Sequence, residues 1–181
     1  MPKQKSLPRS IIIFDGSNFY HKLKELDIAK PKTFDYSAFS SFITNGTQLK
    51  TKYFCIGRIK ASQHDTHARK MMADQQAFAT KLQQSDFVIQ FGYLLKSDGK
   101  YHEKGTDIQI ATDLLDDGFN DRYDVCYLVT SDSDLIPAIS KIQSAGKKVV
   151  YVGFRHKISY ALKLECANHI LLTKSDILQF I

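Results

Sequence analysis

Ile11–Tyr20 reads IIIFDGSNFY, and this stretch decides the fold. Ile11 to Phe14 run without alternation into a charged residue, Asp15. A strand solvated on one face alternates apolar and polar side chains. One covered on both faces, as in a parallel sheet between helices, does not. The run therefore reads as a central strand with Asp15 at its carboxyl end. Gly16 permits a tight turn, and Ser17 or Asn18 is placed to cap a short helix through Leu26.

Working outward, helix and strand patterns alternate. FDYSAFSSFI is a helix capped by Asp35 and stopped by Asn45-Gly46. Lys50 to Ile59 is a strand, Gln63 to Gln84 a long helix, and Phe87 to Leu95 a strand. KSDGK is a turn whose short return arm is Tyr101 to Glu103. A helix capped by Thr106 extends to Asp116, with Ile108, Ala111 and Leu115 on one face and Ile110 and Leu114 beside it. DVCYLVT is a second buried strand, and SDLIPAISKIQSAG is a helix ending at Gly146. KKVVYVGF is a strand, SYALKLECA a helix and HILLT a last short strand, and KSDILQFI closes the chain. Such alternation predicts an α/β fold in three layers: a mostly parallel, Rossmann-like central sheet with helices on both faces. Residues 1–10 read as a basic N-terminal tail and 11–181 as one domain.

The 181 residues are 43% hydrophobic and 24% charged, ordinary for a globular protein. No apolar run approaches the ~20 residues needed to span a bilayer, and IIIF is too short for a signal-peptide core. A cytoplasmic location without membrane contact is expected. Three cysteines, an odd number, argue against a disulfide framework and for buried thiols. The net charge is +6, with basic clusters at Lys50, Lys52, Arg58 and Lys60, at Arg69 and Lys70, at Lys147 and Lys148, and at Arg155 to Lys157. These are either a solvated surface or one that tracks phosphates.

In open α/β sheets, sites lie beyond the carboxyl ends of the strands, near a topological switch point. Asp15 is expected in that crevice. DVCYLVTSDSDLIP repeats the pattern, bringing Asp132 and Asp134 to the turn that starts the next helix. Each alone suits a helix cap or a first-turn acid. EKGTDIQIATDLL adds Asp107, which shares a helix face with Ile110, Ala111 and Leu114, where an unsatisfied acid is costly. A half-exposed first-turn acid is the less favoured alternative for Asp107. Asp113 lies on another side of this helix and reads as exposed. Four carboxylates at one sheet edge would repel and raise one another's pKa values. A hard divalent cation, Mg or Mn, resolves that and suits phosphate hydrolysis.

Other chemistries find less support. His64 and His67 have no further histidine or cysteine nearby to complete a zinc site. Asp15 lacks the second acid two residues on that a haloacid-dehalogenase-type nucleophile needs, since Ser17 stands there. No glycine-flanked nucleophile elbow supports a serine triad, and DGSNFY lacks the glycines of a dinucleotide fingerprint. Tyr20, Tyr93 and Tyr101 suit core or rim packing better than base stacking.

FDGSN at 14–18, KGTDIQIATDLL at 104–115 and TSDSDLIPAI at 130–139, in that order and followed by GKKVVYVGF, resemble the NYN domain, the LabA-like branch of the PIN-domain nuclease superfamily. The likeness runs from about Ile11 to the last strand. It implies a PIN-like fold and a metal-dependent endoribonuclease, a hydrolase in which Asp15, Asp107, Asp132 and Asp134 bind Mg or Mn. It also implies that Asn18 supports the first acid and that Lys104 lies near substrate phosphate. Ser131 departs from the glycine common before the first acid of the third motif, and its side chain would narrow the substrate site. The alternative on the same fold is a catalytically weak RNA-binding or adaptor module. A homodimer and a protein partner that supplies specificity are both compatible with the sequence.

Overall fold

A computed structural model describes residues 6–28, 33–59, 64–97 and 100–181, with the side chains of 93–97 and 100–104 left aside. Strands β1 (Arg9–Asp15), β2 (Gln48–Arg58), β3 (Phe87–Ser97), β4 (Lys100–Lys104), β5 (Val125–Val129), β6 (Lys148–Phe154) and β7 (Asn168–Leu172) form one sheet in the order β4-β3-β2-β1-β5-β6-β7. Six strands run parallel, and β4 is an antiparallel arm on the edge of β3. The helices are α1 (Gly16–Glu25), α2 (Tyr36–Ile43), α3 (Thr66–Gln83), α4 (Thr106–Phe119), α5 (Ile136–Ser144), α6 (Tyr160–Glu165) and α7 (Lys174–Leu178). A 3₁₀ turn at Ser133–Leu135 leads into α5.

β1 explains its own sequence. Strand side chains alternate between faces. Ile12 and Phe14 enter one core with Phe19, Phe34, Phe39 and Phe54, while Ile11 and Ile13 enter the other with Ile110, Leu128 and Ile139. Both faces are covered, so no position could be polar until the strand ends. By the same parity Asp15 falls on the face of Ile13. The chain turns at β1, with β2 on one side and β5 on the other, so the switch point lies between β1 and β5. The strand begins at Arg9, two residues before the apolar run. Its guanidinium pairs with Asp124 at 2.7 Å and Asp121 at 2.9 Å and holds the Asp124 carboxyl near a pKa of about 2.

Local expectations differ in places. Asp15 itself caps α1, accepting from the Asn18 N–H at 3.0 Å, so neither Ser17 nor Asn18 is needed. Gly105, at φ 80°, precedes α4 and makes no side-chain cap; Thr106 is buried behind it. Asp35 caps α2 as expected. Cys55, Cys126 and Cys166 are buried free thiols. Among the described residues no helix is long and apolar enough to cross a membrane.

Candidate active site at the carboxyl edge of the sheet

Register builds the site. Phe14 pairs with Val129, so the next residues, Asp15 and Thr130, emerge side by side from adjacent parallel strands. Cys126 and Leu128 lie in the same core as Ile11 and Ile13, which puts Thr130 and Asp15 on one face. The Thr130 hydroxyl donates to Asp15 Oδ2 at 2.9 Å, and its oxygen accepts from the Asp132 N–H at 3.1 Å. One hydroxyl thus links the first acid to the second across the switch point. Asp15 is 6% exposed, with Oδ1 on the Asn18 N–H and Oδ2 on Thr130. A carboxylate so held loses most of its rotamer freedom.

Asp132 is half-buried and starts the 3₁₀ turn, accepting from the Asp134 N–H at 2.9 Å. Asp134 is exposed. The Ser131 hydroxyl donates to Asn18 Oδ1 at 3.0 Å, tying the loop after β5 to the first turn of α1. Where a glycine would leave a gap, serine adds a cross-link that fixes the Asn18 amide. Asp107, in the first turn of α4, is exposed rather than aimed along the apolar stripe. That stripe starts one turn later, at Ile110, and Ile108 is 73% exposed. Lys104 ends β4, and its side chain is outside the described residues, as are those of Tyr93 and Tyr101.

Among the described residues, no three His, Cys, Asp or Glu side chains converge closely enough to hold an ion. The donor chemistry nonetheless fits a hard cation. It is oxygen only, and among the described residues Asp132 Oδ2 and the Asp134 carboxylate accept no hydrogen bond. Magnesium keeps several waters and takes one or two carboxylates plus substrate phosphates, so a closed cage is not required.

The basic clusters are partly spent on acids. Lys147 pairs with Asp121, and His156 and Lys157 pair with Glu25 at 3.1 and 3.3 Å, which holds that carboxyl near a pKa of about 2. Lys52 donates to the Ser85 carbonyl at 2.5 Å. Arg69 and Lys70 are exposed on α3.

Thr130 is the residue that pattern reading passed over. Its signal was available: the parity of two in-register strands places it beside Asp15. Asp113, expected at the surface, is instead half-buried against β3. Gln90 and Gln109 donate to its Oδ1 at 3.1 and 3.0 Å, while Oδ2 is buried without a partner among the described residues. Burial first, then the nearby Asp117 and Asp116 carboxylates, raise its pKa from 3.8 to about 6 against the two amides. An acid whose pKa is higher folded than unfolded favours folding below pH 3.8 and loses that advantage as pH rises through 6. Asp113→Asn keeps the acceptor for both glutamines but puts an amide nitrogen where Oδ2 has no partner among the described residues, so its melting temperature is expected to rise relative to the parent's on going from pH 4 to pH 8. That relative gain is about 1 kcal/mol after allowance for solvent screening, or a few degrees. Thermal melts of both proteins across that range will show it.

The comparisons with known proteins agree with this fold. The NYN domain family model matches residues 9–173. An uncharacterized protein of Methanocaldococcus jannaschii is 26% identical over 161 residues, covering 89% of this chain and 54% of that protein. The chain thus spans about half the length of that curated relative. A crystal structure of a protein of unknown function from Vibrio parahaemolyticus shares the fold, with a TM-score of 0.70 at 21% identity over 95% of this chain and 97% of the other. With the match running from the first residue of β1 to just past β7, the chain belongs to the NYN-domain family, a family of PIN-like nucleases.

Proposed function

We propose that this protein is a metal-dependent endoribonuclease that hydrolyses RNA phosphodiester bonds at the carboxyl edge of its sheet. The observation that carries this reading is the linkage Asp15–Thr130–Asp132, which ties two acids together at the switch point through one threonine hydroxyl. PIN-like nucleases typically use a divalent metal. Here Asp15 and Asp132 are the main candidates to hold Mg or Mn, with Asp134 and Asp107 as further ligands. Such an ion supplies a water activated at neutral pH and charge stabilisation at the scissile phosphate. Thr130 and the Asn18 N–H keep the Asp15 carboxylate oriented. Ser131 holds the Asn18 amide toward the same opening, where it is placed to bind a phosphate or ribose oxygen. Asp107 sits in the first turn of α4, whose N–H groups favour an anionic substrate nearby. Lys104, at the end of β4, is assigned to phosphate.

A binding or adaptor module on the same fold is the second reading. It is favoured by the acids standing apart rather than converging among the described residues. One experiment separates the two. Labelled single-stranded and structured RNAs are incubated with substoichiometric protein in Mg, Mn or EDTA. Metal-dependent cleavage with turnover is the expected result. RNA binding with no cleavage under any metal would establish the module instead.

A further inference from the structure

A cavity of about 360 Å³ opens at the same edge of the sheet, on the opposite face from Asp15. It lies between α1, the end of β2 and α3. Its floor and walls are apolar and aromatic, chiefly Ile56, Phe78 and Met71, and Gly16 and Tyr20 of α1 close one side. The volume falls in the range of small-ligand sites, about 300–1,000 Å³. Gln75 makes the structure here rigid. Its amide donates to the Gly57 carbonyl at 2.8 Å and accepts from the Ile59 N–H at 2.9 Å, so α3 is stapled to the end of β2.

Two features distinguish this cavity from ordinary packing. Apolar groups are left at its mouth, with Met71 44% and Tyr20 38% exposed. Charge of both signs stands there: Lys24 lies over the Tyr20 ring at 4.7 Å, Asp74 lines the cavity one turn beyond Met71, and Arg69 and Lys70 are exposed on the same helix. The cavity adjoins the acidic site along the chain, since Gly16 and Ser17, which line it, are the two residues after Asp15.

We infer that this cavity receives one unstacked nucleobase of the RNA strand whose phosphate lies at Asp15. This inference rests on the ribonuclease reading and deepens it. An RNA strand crossing the edge of the sheet presents two chemistries. Its phosphates need cations, whether a bound metal or Arg69, Lys70 and Lys24. Its bases, once unstacked, are flat and apolar on both faces and gain by stacking on aromatic and apolar side chains. The sheet edge offers both at once, with Gly16 as the ridge between them. A strand held by one base beside its scissile phosphate is fixed in register, which is what in-line hydrolysis requires. Duplex RNA, whose bases stay stacked, could not enter, so single-stranded RNA is the substrate class this cavity selects.

The test measures binding in EDTA, where nothing is cut, using a short single-stranded RNA and a set of the same strands lacking the base at one position each. The parent protein is expected to bind the intact strand about tenfold more tightly than one particular abasic strand, the size of a single base–aromatic stacking contact. Tyr20→Ala is expected to lose a similar factor on the intact strand and nothing further on that abasic strand. With methyl-labelled methionine, the Met71 methyl signal should move on adding intact RNA and stay in place with that abasic strand. Met72, on the same helix but outside the cavity lining, serves as the internal control. If the parent binds all the strands alike, or Tyr20→Ala weakens intact and abasic strands equally, the base cavity is overturned while the ribonuclease reading stands. If the parent binds no RNA at all, both fall.

Discussion

Asp15→Asn is expected to lower RNA cleavage by about 100-fold or more while the fold and RNA binding persist. The geometry explains why the two effects separate. Asp15 Oδ1 accepts from the Asn18 N–H, and an asparagine oxygen does the same. Asp15 Oδ2 accepts from the Thr130 hydroxyl at 2.9 Å. An amide nitrogen placed there would instead donate to the threonine oxygen, and the hydroxyl hydrogen would rotate away. One hydrogen bond changes direction and the buried Thr130 hydroxyl hydrogen gives up its acceptor, at a cost of about 1–3 kcal/mol that the fold can absorb. The negative charge is nonetheless gone from the only acid of the group that is nearly inaccessible and held at both oxygens. An ion near the scissile phosphate would lose its best-oriented ligand. RNA binding should persist or tighten, because one repulsion toward phosphate has been removed. Single-turnover cleavage in Mg and filter binding in EDTA, with melting curves for both proteins, give the comparison. A variant that cuts as fast as the parent removes Asp15 from the chemistry. A variant that neither folds nor binds would show that the carboxylate is structural.

The same contacts indicate what could be read from the sequence and what could not. The alternation of buried strands and amphipathic helices is a local signal, so the layer arrangement and the place of Asp15 at a strand end were legible in IIIFDGSN. Register between strands is not local. That Thr130 stands beside Asp15 depends on Phe14 pairing with Val129, a partner more than a hundred residues away. Helix ends were harder again. Asp107 looked as if it shared the apolar face of α4, because helical periodicity gives direction but not where the neighbouring sheet stops. In the first turn of α4 Thr106 takes the buried position, while Asp107 and Ile108 are exposed. Asp113 was misplaced for the complementary reason. Its direction points toward β3, and the amides of Gln90 on that strand and Gln109 on α4 itself offset part of the cost of burying an acid there. Capping residues were likewise assigned late, by two or three positions at α1 and by one at α4, where Asp15 and Gly105 hold those places. In the third acidic motif the order of residues was legible, but the cross-link between Ser131 and Asn18 was not, since it joins a loop to the first turn of α1, in the other half of the chain.

Gly16→Ala is expected to destabilise the protein by about 1–3 kcal/mol, lowering the melting temperature by about 2–4 °C for each kcal/mol in a chain of this size. Two effects oppose each other at this position. Gly16 is the first residue of α1 and has no positive φ, so its backbone suits any residue, and alanine is a better helix former by up to about 1 kcal/mol. Against that, a Cβ would stand 2.4 Å from Ile56 Cγ2, 2.5 Å from Phe54 Cε1 and 2.9 Å from the Cys55 carbonyl oxygen. The two side chains could shift, but Phe54 is packed among aromatic rings, and the carbonyl belongs to a central strand paired with β1. Steric crowding therefore outweighs propensity, and α1 is pushed away from β2. That displacement moves Asp15, the cap of the same helix, and narrows the cavity that Gly16 lines. Cleavage should fall with stability. Gly46→Ala separates this mechanism from a general sensitivity to lost glycine: it too costs stability, through its φ of 84°, but it has nothing within 4 Å and lies in the turn before β2, away from the acids. The expected pattern is loss of stability in both variants and loss of cleavage in Gly16→Ala alone. Should Gly16→Ala melt at or above the parent temperature, propensity has won, and the glycine is not there to let α1 approach β2.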